Sequence, residues 1–400
     1  MSDHVLVINA GSSSLKYSLI DAASGEAAAS GVVERIGEPE GHHVHHGTDG
    51  ESNTSLKIAS HEDALRAALK AFETHGPSLD DIEIAAVGHR VVHGGSQFAD
   101  PALIDDDLVA AVNDLVPLAP LHNPANLEGI QVARRLFPDL QQVAVFDTAF
   151  HQTLAPHAYT YAVPLDWRDD HGIRRYGFHG TSHAFVAAEA ARLLGQEPAD
   201  LNLIVLHLGN GCSAAAVRGG QSVDTSMGMT PLEGLVMGTR SGDLDPAIHA
   251  HLVRELGWTV EEIDHALNYE SGLKALAGGN DFRELSISRE AGDARAQLAF
   301  EIYCYRIKKY VGAYYAVLGN VDAIVFTAGV GQHSADVRAA SLAGLERLGI
   351  QLDAERNNTS SGEARTVSAD DSAVAVLVVP TNEEWQIARE ALSLVRLAEA

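Results

Sequence analysis

The sequence predicts an α/β protein built from two related halves, and three observations carry that expectation. An apolar run at residues 5–8 and the alternation of Leu15, Tyr17 and Leu19 with Lys16 and Ser18 bracket a turn of small residues, NAGSSS. That is the pattern of strand, tight turn, strand. The same arrangement returns in the second half, with an apolar run at 203–208, the turn HLGNG at 207–211 and an apolar stretch at 212–217, as expected of one architecture used twice. Each pair opens a segment in which predicted strands alternate with helices. The length of 400 residues also exceeds what one hydrophobic core usually serves.

Composition narrows the function. Hydrophobic residues make up 46% of the chain and the mean hydropathy is near zero, which suits a globular chain with sizeable cores. The net charge of −26 argues against a general binder of nucleic acid or anionic membrane. It leaves room for an anionic ligand held by local donors. Cys212 and Cys304 have no metal or redox spacing. Without a recognisable signal segment or an apolar run of membrane-spanning length, a cytoplasmic location is expected.

Taken in order, residues 31–36 and 55–59 predict further strands of the first sheet. The segment between them, with His42, His43, His45 and His46 enclosed by Gly41 and Gly47, reads as a solvated polar loop, a metal site being the other possibility. Ser60 three residues ahead of Asp63 predicts a helix start before 64–72. A strand over 82–92 runs into HRVVHGG at 89–95, and a proline-rich stretch leads to a helix at 127–137. A strand at 142–146 then stops at Asp147. In RRYGFHGTSH at 174–183, Thr181 or Ser182 is expected to cap an alanine-rich helix that ends before Gly195. Residues 293–318 predict one long helix in which Gly312 marks close packing. A third strand ending in glycines covers 323–331. The chain closes with a strand at 373–379, PTNEE at 380–384 and a helix to about 396. Thr381 and Glu384 fit a capping box, which leaves Glu383 free for other work.

Glycine-rich turns after strands let backbone N–H groups approach phosphate oxygens, and Lys16 adds a cation beyond the first of them. No GxxxxGK[ST] loop is present, and an ordinary polar hairpin remains the structural alternative. Arg90 and Arg240 lie in glycine-rich surroundings, HRVVHGG and GTRSGD, a setting that suits clamping of an anion.

INAGSSSLKYSL, HRVVHGG, FDTAFHQT, RRYGFHGTSH, HLGNGCS, DTSMGMTPLEGLVMGTRSGDLDP and PTNEE, in this order, resemble the acetate kinase family across essentially the whole chain. That family lies in the acetate and sugar kinase, Hsp70 and actin superfamily. The resemblance implies two duplicated ribonuclease H-like (actin-like ATPase) domains with a nucleotide cleft between them. The first would comprise 1–152 and 385–400 and carry the acetate and phosphate side; the second, 153–384, would bind nucleotide and dimerise. The implied reaction is reversible transfer of the γ-phosphoryl group of ATP to acetate with Mg²⁺ (or Mn²⁺), by direct in-line displacement in a homodimer.

The resemblance also implies roles. Asn9 and Glu383 correspond to magnesium-site residues and Lys16 to a lysine on the nucleotide phosphates. Arg90 and Arg240 correspond to arginines that hold acetate and stabilise the transition state, with His179 assisting and Asp147 as the catalytic aspartate. Val92, Leu121, Phe178 and Pro231 would surround the acetate methyl. His207, Leu208, Gly209, Asn210 and Gly211, then Asp281, Phe282 and Arg283, then Gly329, Val330, Gly331, Gln332 and His333, would bind ATP. The segment TAGVGQH at 327–333 departs from the family's usual TGGIGEN, which bears on nucleoside preference. Alternatives are the same chemistry on propionate or another short carboxylate, pyrophosphate as donor, and an actin- or Hsp70-like ATPase.

Overall fold

A computed structural model describes residues 3–79 and 81–400. It separates into two compact units: the described residues up to Phe150 together with Asn382–Ala400, and His151–Thr381.

The first unit is built on an eight-stranded sheet. Its strands are β1 (His4–Ala10), β2 (Ser14–Asp21), β3 (Ala27–Glu34), β4 (Gly41–Gly47), β5 (Gly50–Leu56), β6 (Ile84–Val91), β7 (Ala102–Leu103) and β8 (Gln142–Phe146), in the order β5-β4-β3-β2-β1-β6-β8-β7. β1 to β5 form an antiparallel meander, whereas β6 and β8 run parallel to β1. The period of two along each strand divides the apolar residues between two faces. Leu6, Ile8, Leu15, Tyr17 and Leu19 pack against residues of helices His61–His75 and Asn123–Leu136. Val5, Val7, Ala86, Val143 and Val145 pack against Ile387, Ala388, Ala391 and Val395 of the last helix, Glu383–Glu399. Gly88 permits this approach, since a Cβ there would lie 2.8 Å from Ile387. Trp385 Nε1 donates to the Ala22 carbonyl at 2.9 Å and ties the helix start to the sheet.

The second unit has β9 (Asn202–Leu208), β10 (Cys212–Arg218), β11 (Gln221–Thr225), β12 (Ala323–Thr327), β13 (Arg365–Thr366) and β14 (Ala375–Val378), ordered β11-β10-β9-β12-β14-β13. Two antiparallel pairings are followed by two parallel ones. The run β11-β10-β9-β12-β14 therefore repeats β3-β2-β1-β6-β8 in order and direction. Helices Gly180–Leu194 and Ala294–Leu318 pack on this sheet. In each unit three parallel strands end together, and ligands of open α/β sheets bind beyond such carboxyl ends. Those ends carry Asn9, Arg90 and the residue before Asp147 in the first unit, and His207 and Thr327 in the second.

Several local expectations are corrected. The histidine segment is not a loop but strand β4, inserted between β3 and β5. Alternation sends His43 and His45 inward, where Tyr17 Oη lies 2.9 Å from His43 Nε2 and 2.7 Å from His45 Nδ1. Polarity alone misled, because a neutral imidazole with a hydroxyl partner is tolerated in a core. Among the described residues, no three His, Cys, Asp or Glu side chains group as a metal site. The fifth strand ends at Leu56, earlier than expected. Gly312 meets nothing within 4 Å of a hypothetical Cβ, so close packing does not explain it. The helix expected after Thr181 or Ser182 begins within RRYGFHGTSH, at Gly180, with His179 in the cap position. The last helix is capped by Asn382, whose Oδ1 accepts from Trp385 N at 2.9 Å. Thr381 instead meets Ser182, Oγ1 to Oγ at 2.8 Å. The helix starts one residue later than the capping-box pattern implied, so Glu384 has no capping role.

Burial also sets the acid limit of the fold. It lowers the pKa of His43, His89 and His151 from 6.5 to about 4. Between these values the unfolded chain binds more protons, so the contribution is fully present above about pH 6.5 and is lost as pH falls towards 4. Each histidine should cost about 2 kcal/mol of stability by pH 5. Thermal unfolding should therefore show a midpoint that drops between pH 7 and pH 5; a midpoint independent of pH would contradict this account.

Candidate active site

In the first unit the sheet register sets Asn9 opposite Lys16 across β1 and β2. Lys16 is exposed and Asn9 half-buried. Arg90, near the end of β6, donates from Nε to Asp147 Oδ1 at 3.0 Å and from Nη2 to Oδ2 at 2.5 Å, a two-point ion pair. Glu383 Oε2 lies 3.8 Å from Arg90 Nε. Burial alone would lower the Arg90 pKa, but Asp147 and then Glu383 outweigh it and hold the guanidinium charged. The Glu383 carboxyl is pushed up to about 7, first by burial and then by Asp147 and Glu384, against the pull of Arg90. This excess of carboxylate over cation, with the Asn9 amide at the neighbouring strand end, is a donor set that fits a hard divalent ion. Magnesium uses one or two protein oxygens and completes its shell with water and phosphate.

Two asparagines hold the loop after β6, and sequence reasoning passed over both. Asn126 accepts from Val92 N at 3.0 Å and donates to the Ala10 carbonyl at 2.7 Å. Asn123 accepts from His93 N at 3.2 Å and donates back to the His93 carbonyl at 3.1 Å. The pair in NPAN, just after a proline-rich stretch, was the available signal. Val92 is buried, whereas Leu121 is exposed at 45%.

In the second unit His179 has φ 57°, a left-handed conformation rare outside glycine. His151 steadies the preceding residue, its Nε2 donating to the Phe178 carbonyl at 3.1 Å. The His179 ring stacks on His207 with centroids 4.2 Å apart. Arg240 is half-buried and donates from Nη1 to the Pro231 carbonyl at 2.5 Å. Among the described residues it forms no ion pair, and burial lowers its pKa. Its guanidinium runs past Gly211, where a Cβ would come within 2.6 Å of Arg240 Nη2 and 3.4 Å of His179 Nε2. A side chain at this position would have to displace the guanidinium.

A cavity of 820 Å³ adjoins this turn, and its walls include Gly209, Asn210, Asp281, Phe282, Arg283, Gly329, Val330 and His333. The three segments expected to bind nucleotide thus converge. Gly238, Leu273, Asn280, Ser286, Ile287 and Ser334 also line it and were not anticipated. Leu208 and Gly331 are buried rather than on the wall. Asp281 caps helix Phe282–Glu290 and pairs with Arg283 at 2.7 Å. Ala328 has φ 60°, so the alanine at this usual glycine position carries left-handed strain of about 1–2 kcal/mol. Arg338, fully buried, donates to the carbonyls of Gly331 at 2.8 Å and Gln332 at 3.0 Å and holds the end of this segment.

The sequence matches the acetokinase family over residues 4–389. It is similar to acetate kinase of Leifsonia xyli subsp. xyli, 57% identical over 391 residues and 98% of each chain. It is also similar to acetate kinase of Streptomyces avermitilis, 56% identical over 396 residues and 98% of each. Among solved structures, Porphyromonas gingivalis acetate kinase aligns with a TM-score of 0.94 at 42% identity, covering 98% of this chain and 100% of that one. A propionate kinase from Francisella tularensis aligns at 0.92 with 43% identity, over 98% and 100%.

The two arginines should separate by their effect on stability. Arg90→Ala strands Asp147, which is 1% exposed, and should destabilise the first unit by about 3 kcal/mol. Arg240→Ala removes a cation that has no acidic partner among the described residues and should leave the unfolding midpoint close to wild type. Equal losses for both variants in urea unfolding would refute the distinction.

Proposed function

The chain belongs to the acetokinase family, and from that premise we propose that it is an acetate kinase, transferring the γ-phosphoryl group of ATP reversibly to acetate to give acetyl phosphate and ADP. The observation that carries the reading is Arg240, a half-buried guanidinium with no acidic partner among the described residues. It passes beside His179 at a glycine turn that continues into a nucleotide-sized cavity. A cation held in that way is poised for an anion supplied by the ligand.

Phosphoryl transfer asks a protein mainly for alignment and for positive charge around the equatorial oxygens. Arg90, Arg240 and His179 supply it, and Lys16 adds charge at the nucleotide phosphates. Acetate is already ionised at neutral pH and needs no general base. The two-point bond from Arg90 supports an orienting role for Asp147 over a proton-accepting one. Asn9 and Glu383 would hold magnesium (manganese suits the same ligands), which when bound neutralises charge on the phosphate oxygens. The first unit carries the candidate metal ligands Asn9 and Glu383, together with Arg90, Val92 and Leu121. The second carries the cavity proposed for nucleotide, and also Arg240, His179, Phe178 and Pro231. A cytoplasmic homodimer belongs to the same reading. No helix among the described residues is long and apolar enough to cross a membrane, and the exposed Val253, Leu256, Trp258 and Val260 are apolar surface that a partner subunit would cover.

Propionate is the second reading, favoured by the likeness to the Francisella propionate kinase; one methylene is worth only about 1–3 kcal/mol in an apolar pocket. A coupled assay should show acetyl phosphate formed from ATP and acetate, with kcat/KM falling from acetate through propionate to butyrate. ATP turnover independent of any carboxylate would overturn the assignment. Arg240→Ala should lower kcat by about three orders of magnitude, by analogy with arginine fingers, and near-normal kcat in the folded variant would remove Arg240 from the transition state.

A further inference from the structure

Behind His179 lies a buried hydrogen-bonded chain that phosphoryl transfer, as described, does not use. His183 sits one helical turn beyond His179, its backbone N–H donating to the His179 carbonyl at 2.9 Å, so the two rings share one face of the helix. Ser213, on β10, lies between them. Its Oγ is 2.9 Å from His179 Nδ1 and 2.7 Å from His183 Nε2. Ser213 and His183 are both fully buried. A serine hydroxyl has one proton, so it donates to one ring and accepts from the other.

The direction of the chain follows from its far end. Among the described residues, His183 Nδ1 is buried with no hydrogen-bond partner. A bare lone pair is tolerated there more readily than an orphaned N–H. Burial, with His151 and His207 close by, holds the His183 pKa well below 6.5 and keeps the ring neutral. The His183 proton therefore sits on Nε2 and is donated to Ser213 Oγ. The Ser213 proton is in turn donated to His179 Nδ1. The remaining proton of a neutral His179 is then on Nε2, the nitrogen that shares the space beside Gly211 with Arg240 Nη2. With the opposite direction, His179 would turn a lone pair towards that space, where an anionic oxygen would be repelled.

We propose that Ser213, backed by His183, is a positioning residue that fixes His179 in its Nε2–H tautomer and so makes it a neutral hydrogen-bond donor beside Arg240. The proposal rests on the reading that His179 meets the transferring phosphoryl group. Neither Ser213 nor His183 need touch substrate.

Long-range ¹H–¹⁵N correlation spectra of the full chain with labelled histidine read the tautomer directly, the His179 signals being assigned by their loss in His179→Asn. The expected result is a proton on Nε2 and none on Nδ1. Ser213→Ala should mix the two tautomers and lower kcat about 10–100-fold, with KM for ATP within about twofold. Ser213→Thr, which keeps the hydroxyl, should recover most of the loss. Protonated Nδ1 in the wild type overturns the proposal, and this measurement stands even where Ser213→Ala fails to fold. So does a Ser213→Ala enzyme whose kcat stays within about twofold of wild type while His179→Asn is impaired. Full activity in His179→Asn would sink the catalytic reading of His179 and the proposal with it, and the two failures are told apart because the wild-type tautomer would still be Nε2–H.

Discussion

The ion pair between Arg90 and Asp147, with Glu383 against it, is the constraint around which the first unit is arranged. Removing these charges from water is costly, and only two-point geometry and further polar partners offset the cost. The fold provides them from three places far apart in sequence: the ends of the parallel strands β6 and β8, and the first turn of the last helix. That helix must return to the sheet it left, and the apolar seam of Ile387, Ala388, Ala391 and Val395 against Val5, Val7 and Val143 holds it there. Gly88 admits it and Trp385 locks its start. The packing of one helix therefore decides the charge balance of the site.

The second unit reaches its chemistry by another route. The same strand order ends in glycine turns instead of charged side chains, and the cation enters from a loop. Among the described residues Arg240 has no carboxylate partner, whereas Arg90 is paired with Asp147. Left-handed backbone at His179 and Ala328 marks where the unit accepts strain, and such strain persists only where the surroundings over-determine it. Around His179 they do: His151 holds Phe178, Ser213 holds the ring and His207 stacks on it.

Duplication, the glycine turns, most strands and three segments that line one cavity were legible in the sequence because each is a local pattern: a period of two, a run of small residues, a motif of fixed spacing. The errors have a different origin. Polarity suggested that the histidine segment was solvated, but its burial depends on Tyr17 from another strand. Thr381 looked like a cap by spacing, yet its hydroxyl is taken by Ser182, far back along the chain. Asn126, Arg338 and Ser213 carry no sequence mark of their roles, since each works through a partner that only folding brings near. Leu121 shows the converse: its motif was clear, and its side chain is largely exposed.

The sequence by itself therefore determined the family, the repeated architecture and the kinds of group available for the chemistry, because motif, spacing and strand period are properties of neighbouring residues. Tertiary structure alone decided that Asp147 is bound to Arg90, that burial raises the Glu383 pKa, that Arg240 has no acidic partner among the described residues and that Ser213 bridges two histidines. Those facts depend on desolvation and on distances of a few ångströms between residues distant along the chain, and no local pattern encodes them.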